Sequence, residues 1–305
     1  MSRESLVWPT FYIAGGVKCG TTSLYAYLKR HPQVFLPEMK EPHYFATIFG
    51  AVPTARASMH CPGDLDTYQR IYRPGRDFPA IGDASPSYLW DEGSPRAIHK
   101  VCPQARIVIL LRDPIERAYS HFLMQVTQAE ELLPFLEALQ RDQSAEKKGL
   151  WISNLYVESG LYYSQVRRFL ETFGREQVAI CFFEDLRKAP FALLAQVTAH
   201  IGVAPAAFGG KEISEAHNRY RQPRFPGAIR LANTMLSPEV RRRLIPEPVR
   251  RRLRNSSLLY DMKKPPLDDK SRRYLKEIFE PDVSLLEELL GQELPQLRRS
   301  WNPLG

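Results

Sequence analysis

The stretch from Thr10 to Arg30 limits the possible folds more than any other part of the chain. TFYIAG (10–15) is short, aromatic and apolar, and it reads as a buried strand. Gly15-Gly16-Val17-Lys18-Cys19-Gly20-Thr21-Thr22 follows it. A helix is then expected from Ser23 to about Arg30, with Leu24 and Leu28 one turn apart on the same face and Pro32 as its stop. Strand, glycine-rich loop and helix in that order make an anion cradle. Glycines let backbone N–H groups turn inward, and the start of the helix adds positive potential.

The rest of the chain repeats the alternation. Ala80–Asp83 is a candidate short strand, and ARIVILL (105–111) is a continuous apolar run without period-two alternation. That pattern fits a strand covered on both faces of a parallel sheet. Asp113 is a good N-cap, Pro114 suits the first helical turn, and Glu116 stands at capping-box spacing. Val166, Phe169, Leu170 and Phe173 mark an amphipathic helix over about 161–173. Gln177–Phe183 is another buried strand, Phe191–Ile201 a helix, and Ser271–Leu290 a helix closed by Gly291. Residues 36–78 are irregular, with loops and short helices expected. The fold class is therefore α/β, a three-layer arrangement like that of P-loop proteins, with a central, mostly parallel sheet between helices. The expected organisation is a single domain over 1–305. It has a core at 8–215, an Arg/Pro-rich basic segment at 217–265, and the C-terminal helix at 270–291 packed on the same domain.

Composition excludes several classes. The 305 residues are 44% hydrophobic and 25% charged, which rules out a disordered acidic tail, a collagen-like chain and a small disulfide scaffold. Cys19, Cys61, Cys102 and Cys181 show no CxxC spacing, so they read as reduced thiols rather than zinc ligands. Residues 1–9 lack the apolar core of a signal peptide, and no run approaches the ~20 apolar residues that span a bilayer. A soluble, cytoplasmic protein is expected. The 42 Lys and Arg exceed the 34 Asp and Glu by eight. That excess suits nucleic acid, an anionic surface, a phosphate-rich small molecule or a solvated basic face.

The loop itself narrows the ligand. Its GxxxxG spacing is that of a phosphate loop, but Thr21 follows Gly20 where triphosphate-binding loops carry Lys, and the lysine, Lys18, lies inside the loop. The strongest strand ends in Arg112 rather than in a magnesium-binding aspartate. Lys, hydroxyls and Arg without a metal suit a nucleotide that carries no triphosphate. Arg112 stands where open α/β sheets place ligands, and Ser120 follows on the next helix. The pair could hold a second phosphate, Arg112 by a two-pronged bond and Ser120 by its hydroxyl.

These residues resemble a known family. GGVKCGTTSLYAYLKRHPQV is similar to the 5′-phosphosulfate loop of sulfotransferases that use 3′-phosphoadenosine 5′-phosphosulfate (PAPS), and RIVILLRDPIERAYSHF to their 3′-phosphate motif. Lys40-Glu41-Pro42-His43-Tyr44-Phe45 resembles the acidic catalytic segment of heparan-sulfate-type N- and O-sulfotransferases and their bacterial relatives. Ser85-Pro86-Ser87-Tyr88 and Gly160-Leu161-Tyr162 also match that branch. Ala84 stands where members often carry a lysine. The resemblance implies sulfuryl transfer from PAPS to an acceptor hydroxyl or amine by in-line displacement, leaving adenosine 3′,5′-bisphosphate and needing no metal. It implies that Lys18 steadies the leaving group, and that Lys18, Cys19, Gly20, Thr21 and Thr22 hold the phosphosulfate. Arg112 and Ser120 would hold the 3′-phosphate. Glu41 is implied as general base with His43 assisting, the reverse assignment staying open. A late basic residue over the nucleotide is implied too, Arg224 first, with Arg219 and Arg221 competing.

Other readings remain at this point. A P-loop nucleotide kinase or hydrolase would prefer ATP with magnesium. A basic nucleic-acid-binding protein would need a recognition motif that the chain lacks, so no nucleic-acid partner is expected. The acceptor is expected to be a small molecule or glycan. The arginines at 241–254 read as solvated helix faces that could touch a membrane surface.

Overall fold

The computed structural model describes residues 6–47, 61–128, 130–145, 155–205, 222–223, 260–261 and 264–302. Five parallel strands form the central sheet in the order β2-β3-β1-β4-β5. They are β1 (Phe11–Gly15), β2 (Val34–Phe35), β3 (Ala80–Ala84), β4 (Arg106–Leu111) and β5 (Val178–Phe182). β1 lies at the centre. It pairs with β3 from Phe11↔Gly82 to Ile13↔Ala84, and with β4 from Phe11↔Arg106 to Gly15↔Ile109. Ile107 to Leu111 are fully buried, as the unbroken apolar run predicts for a strand covered on both sides. The α/β class and the parallel sheet expected from the sequence are both present. A separate two-residue antiparallel pair joins β6 (Gln222–Pro223) to β7 (Tyr260–Asp261).

Ten helices of the described chain surround the sheet or extend from it. They are α1 (Thr21–Leu28), α2 (Leu65–Tyr72), α3 (Ser87–Trp90), α4 (Ser94–Val101), α5 (Pro114–Thr127), α6 (Phe135–Ser144), α7 (Tyr162–Phe173), α8 (Phe183–Lys188), α9 (Pro190–His200) and α10 (Asp269–Leu290). α7 buries Val166, Phe169 and Phe173, as their spacing predicts. α10 packs along α7 and against α5, and Asp282 on α10 accepts the N–H groups of Tyr162 at 2.6 Å and Tyr163 at 3.2 Å. The start of α7 is thus capped from a distant helix. Gly291 closes α10 in the left-handed region, at φ 68°.

Local expectation fails in two places. β2 is too short for any periodicity to reveal it. The capping box at α5 is only half formed. Asp113 accepts from the N–H groups of Ile115 (3.0 Å) and Glu116 (3.1 Å), but the Glu116 carboxylate does not reach back to the cap. It pairs with Arg112 at 2.9 Å, because a guanidinium four residues upstream is a stronger partner than a neutral amide. The second oxygen of Asp113 accepts the N–H of Ser300 at 2.7 Å, tying the C-terminal segment to the start of α5.

All five strands run the same way, so the segments leaving β1, β3, β4 and β5 emerge at one edge. The chain lays β2 and β3 on one side of β1 and then β4 on the other. The crevice beside β1 is therefore a topological switch point, where such sheets bind ligands.

Candidate active site at the carboxyl edge of the sheet

Gly15–Gly20 leaves β1 and turns into α1. Gly20 sits at φ 93°, and a Cβ there would lie 2.7 Å from the Phe183 ring, so the position requires glycine. The first N–H groups of α1 have no partner within the helix, as at every helix start. Cys19 is fully buried, and its thiol meets the Tyr162 hydroxyl at 3.6 Å. Its N–H is spent on the Gly16 carbonyl at 3.1 Å. Cys19 therefore shapes the loop from inside. Thr21 is buried and Thr22 half-buried at the helix start.

Lys18 stands out among the described cations. It sits at φ 65°, and its ammonium touches the Met124 thioether at 3.4 Å. No carboxylate pairs with it among the described residues. Burial, then the charges of Arg112 and Arg117, hold it down to about 8. Arg112 leaves β4, donates to the Lys18 carbonyl at 3.4 Å, and stacks over the Phe183 ring at 4.5 Å. Glu116 is its carboxylate partner. Burial pushes the Glu116 carboxyl up, but Arg112 outweighs it and holds the group below its ordinary value. Ser120 lies two turns along α5, half-buried. Arg117, on the same helix, is fully buried and donates to the carbonyls of Leu155 (3.4 Å) and Tyr156.

The segment after β2 brings a second group of residues. Lys40 bonds to Glu41, with 18% of the lysine side chain and 37% of the glutamate exposed. Burial, then the charge of Lys18, holds Lys40 down to about 8. Lys40 thus lies within electrostatic reach of Lys18. The second carboxylate oxygen of Glu41 stands 3.6 Å from His43 Nε2. His43 is buried, and burial lowers its imidazole to about 4, against the opposing pull of Asp83. Glu41 and His43 have φ values of 62° and 52°. The described chain holds only four non-glycine residues with positive φ, and three of them are Lys18, Glu41 and His43. Strained backbone of this kind persists where its surroundings hold it in place, and it gathers at functional sites.

The end of β3 holds this segment. Asp83 is fully buried and accepts hydroxyl bonds from Ser85 (2.7 Å), Tyr68 (2.9 Å) and Tyr88 (3.0 Å). Ser85 in turn accepts the N–H of His43 at 3.0 Å, and Ser87 Oγ meets His43 Nδ1 at 2.5 Å.

The structure therefore brings Lys18, Glu41, His43 and Arg112 to one edge, with Gly20, Thr21, Thr22 and Ser120 around them. Arg224, with its competitors Arg219 and Arg221, lies outside the described residues. So do the arginines at 241–254, His60 and His217. Lys264, at the end of the late basic segment, places its ammonium over the Tyr119 ring at 5.3 Å and feels both Arg112 and Glu116. His121 and His99 pack on the aromatic rings of Tyr156 and Phe173, in keeping with structural roles. Sequence reasoning missed Asp83, Arg117, Met124 and Phe183 as site-building residues. It placed Lys40 in the segment resembling the family's catalytic one but gave it no role. A buried aspartate ending an apolar strand was the one available signal for the β3 cluster. Arg117 gave none, since its partners lie 38 and 39 residues away.

Among the described residues no helix is long and apolar enough to cross a membrane. Mouse carbohydrate sulfotransferase 15 is 27% identical over 227 residues, covering 58% of this chain and 40% of that protein. Human bifunctional heparan sulfate N-deacetylase/N-sulfotransferase 3 is 27% identical over 204 residues, covering 65% of this chain and 22% of its own length. The chain thus spans well under half of these curated relatives. A solved sulfotransferase from Alicyclobacillus acidocaldarius superposes with a TM-score of 0.71 at 27% identity, over 96% of this chain and all of the other. The family model described as the sulfotransferase domain matches residues 9–222, from just before β1 to the start of the late basic segment, and the chain belongs to the sulfotransferase family.

Proposed function

We propose that this sulfotransferase takes its sulfuryl group from PAPS and passes it to a hydroxyl or amine of a carbohydrate-containing acceptor. The observation that carries the donor assignment is Lys18. A half-buried ammonium at a helix start, with a thioether for its partner and two arginines nearby, is a cation that lacks its anion. PAPS is polyanionic and supplies that charge. The acceptor class is inferred from the named substrates of carbohydrate and heparan sulfate sulfotransferases to which the chain is similar.

In this reading the first N–H groups of α1 and the hydroxyls of Thr21 and Thr22 receive the 5′-phosphosulfate. Arg112 and Ser120 receive the 3′-phosphate, with Arg224 or a neighbouring arginine and Lys264 as late cations. The acceptor oxygen or nitrogen attacks sulfur in line, and its proton passes to the Glu41 carboxylate. The S–O bond to the 5′-phosphate breaks, and its electron pair leaves on adenosine 3′,5′-bisphosphate. Lys18 stabilises that charge, and Lys40 steadies Glu41. No step calls on a metal ion. His43, held at about 4, is neutral at pH 7 and a weak base there.

Two measurements test the reading. Calorimetric titration is expected to give tighter binding of adenosine 3′,5′-bisphosphate than of ATP with magnesium, and the reverse preference rejects the donor. Transfer of labelled sulfate from PAPS to a panel of unsulfated glycans is expected to fall by about 10²–10⁴ in Glu41→Gln, the range for loss of a general base. Lys18→Ala is expected to lose most turnover while the fold persists. Normal rates in Glu41→Gln together with loss in His43→Ala would transfer the role of base to the histidine.

A further inference from the structure

Ser87 opens α3 with its side chain almost wholly buried. Its Oγ lies 2.5 Å from His43 Nδ1, and the hydroxyl makes no other hydrogen bond in the described structure. A buried hydroxyl proton left without an acceptor costs about 1–3 kcal/mol. The Ser87 proton therefore goes to Nδ1. A ring nitrogen that accepts carries no hydrogen, so in the neutral imidazole the hydrogen is on Nε2.

The other side of the ring gives the same answer independently. Nε2 faces the Glu41 carboxylate at 3.6 Å. A lone pair there would point at negative charge, whereas an N–H points its positive end at it. Among the described residues, Glu41 and Asp83 favour protonation of the ring and Lys40 opposes it. Burial outweighs them and keeps the ring neutral. The backbone is fixed as well. Ser85 receives the His43 N–H and shares its own proton with Asp83, so the backbone that carries the ring is held in place.

We infer that Ser87 is a positioning residue that fixes His43 as the Nε2–H tautomer, so that the histidine turns an N–H, and not a proton-accepting lone pair, toward Glu41. Glu41 is then held by Lys40 at one oxygen and faced by an N–H at the other. The ring has no nitrogen free on the Glu41 side to accept a proton from the attacking group. The tautomer rests on the Ser87 contact and the Glu41 charge; the role given to the ring rests on the proposal that Glu41 is the base.

Long-range ¹H–¹⁵N correlation on the full chain labelled with ¹⁵N-histidine reads the tautomer directly at pH 7, with His43→Gln identifying the His43 signals among the seven histidines. The expected result is an unprotonated Nδ1 and a protonated Nε2, with Ser87→Ala driving the pair toward averaging. The opposite pattern in the unmodified protein, or averaging there, overturns the inference even if Ser87→Ala does not fold. The second arm uses PAPS with unsulfated chondroitin and heparosan oligosaccharides. Glutamine places an N–H near the Nε2 position and asparagine does not. His43→Gln is expected to keep kcat within about tenfold of the parent, while His43→Asn loses on the order of 10²–10³, within the range for an acid–base group. If the tautomer is as stated but His43→Gln is as inactive as His43→Asn, the assignment of Glu41 as base falls and the tautomer stands.

Discussion

At the scale of single residues, the site is built from charges partly withdrawn from water. Lys18 and Lys40 are both held near 8 instead of 10.5, chiefly by burial. The sign of the linkage follows. Between about 8 and 10.5 the unfolded chain binds more protons than the folded one, so these lysines make the empty protein more stable as pH rises through that window. An anion beside Lys18 reverses the balance and draws a proton in. Binding of adenosine 3′,5′-bisphosphate at pH 9 is expected to take up protons, seen as a heat that depends on the ionisation enthalpy of the buffer. Lys18→Met is expected to diminish the uptake, and proton release on binding would contradict the picture. The identities of Lys18, Glu41, His43 and Arg112 were legible because they sit in short motifs. Their environments were not. Met124 lies 106 residues from Lys18, and Ser87 lies 44 from His43, distances over which local pattern carries no signal.

At the scale of elements, the strand–loop–helix units were legible wherever burial was two-sided or periodic. β4 stood out because every residue from Ile107 to Leu111 is covered. α7 stood out because its buried residues recur at helical spacing. What stayed hidden were the joints, such as Asp282 capping α7 from α10 and Ser300 reaching Asp113. Asp113 matters most among these, since it caps α5 and anchors the C-terminal segment at once. Asp113→Ala is expected to cost about 0.5–2 kcal/mol for the cap alone, read as a lowered urea midpoint. Loss of the Ser300 bond should appear separately, as faster amide exchange confined to residues near 300. A variant with an unchanged midpoint would show that α5 needs no cap.

At the scale of the whole molecule, the sheet carries the stability and the loops carry the chemistry. Ile109→Ala, in the fully buried β4, is expected to cost about 2–5 kcal/mol, measured by denaturant unfolding. Among the described residues, Lys18, Lys40 and Arg112 stand at the crevice beside β1. The net charge of +8 therefore says less about a partner than the placement of Lys18, Lys40 and Arg112 does. The order β3-β1-β4 has a geometric consequence. The serines that hold His43 leave β3, the loop bearing Lys18 leaves β1, and Arg112 leaves β4. Neighbouring strands stand about 4.8 Å apart whatever their sequence. The sheet thus works as a ruler, spacing these side chains in fixed steps, while the segments beyond its edge are free to be rewritten.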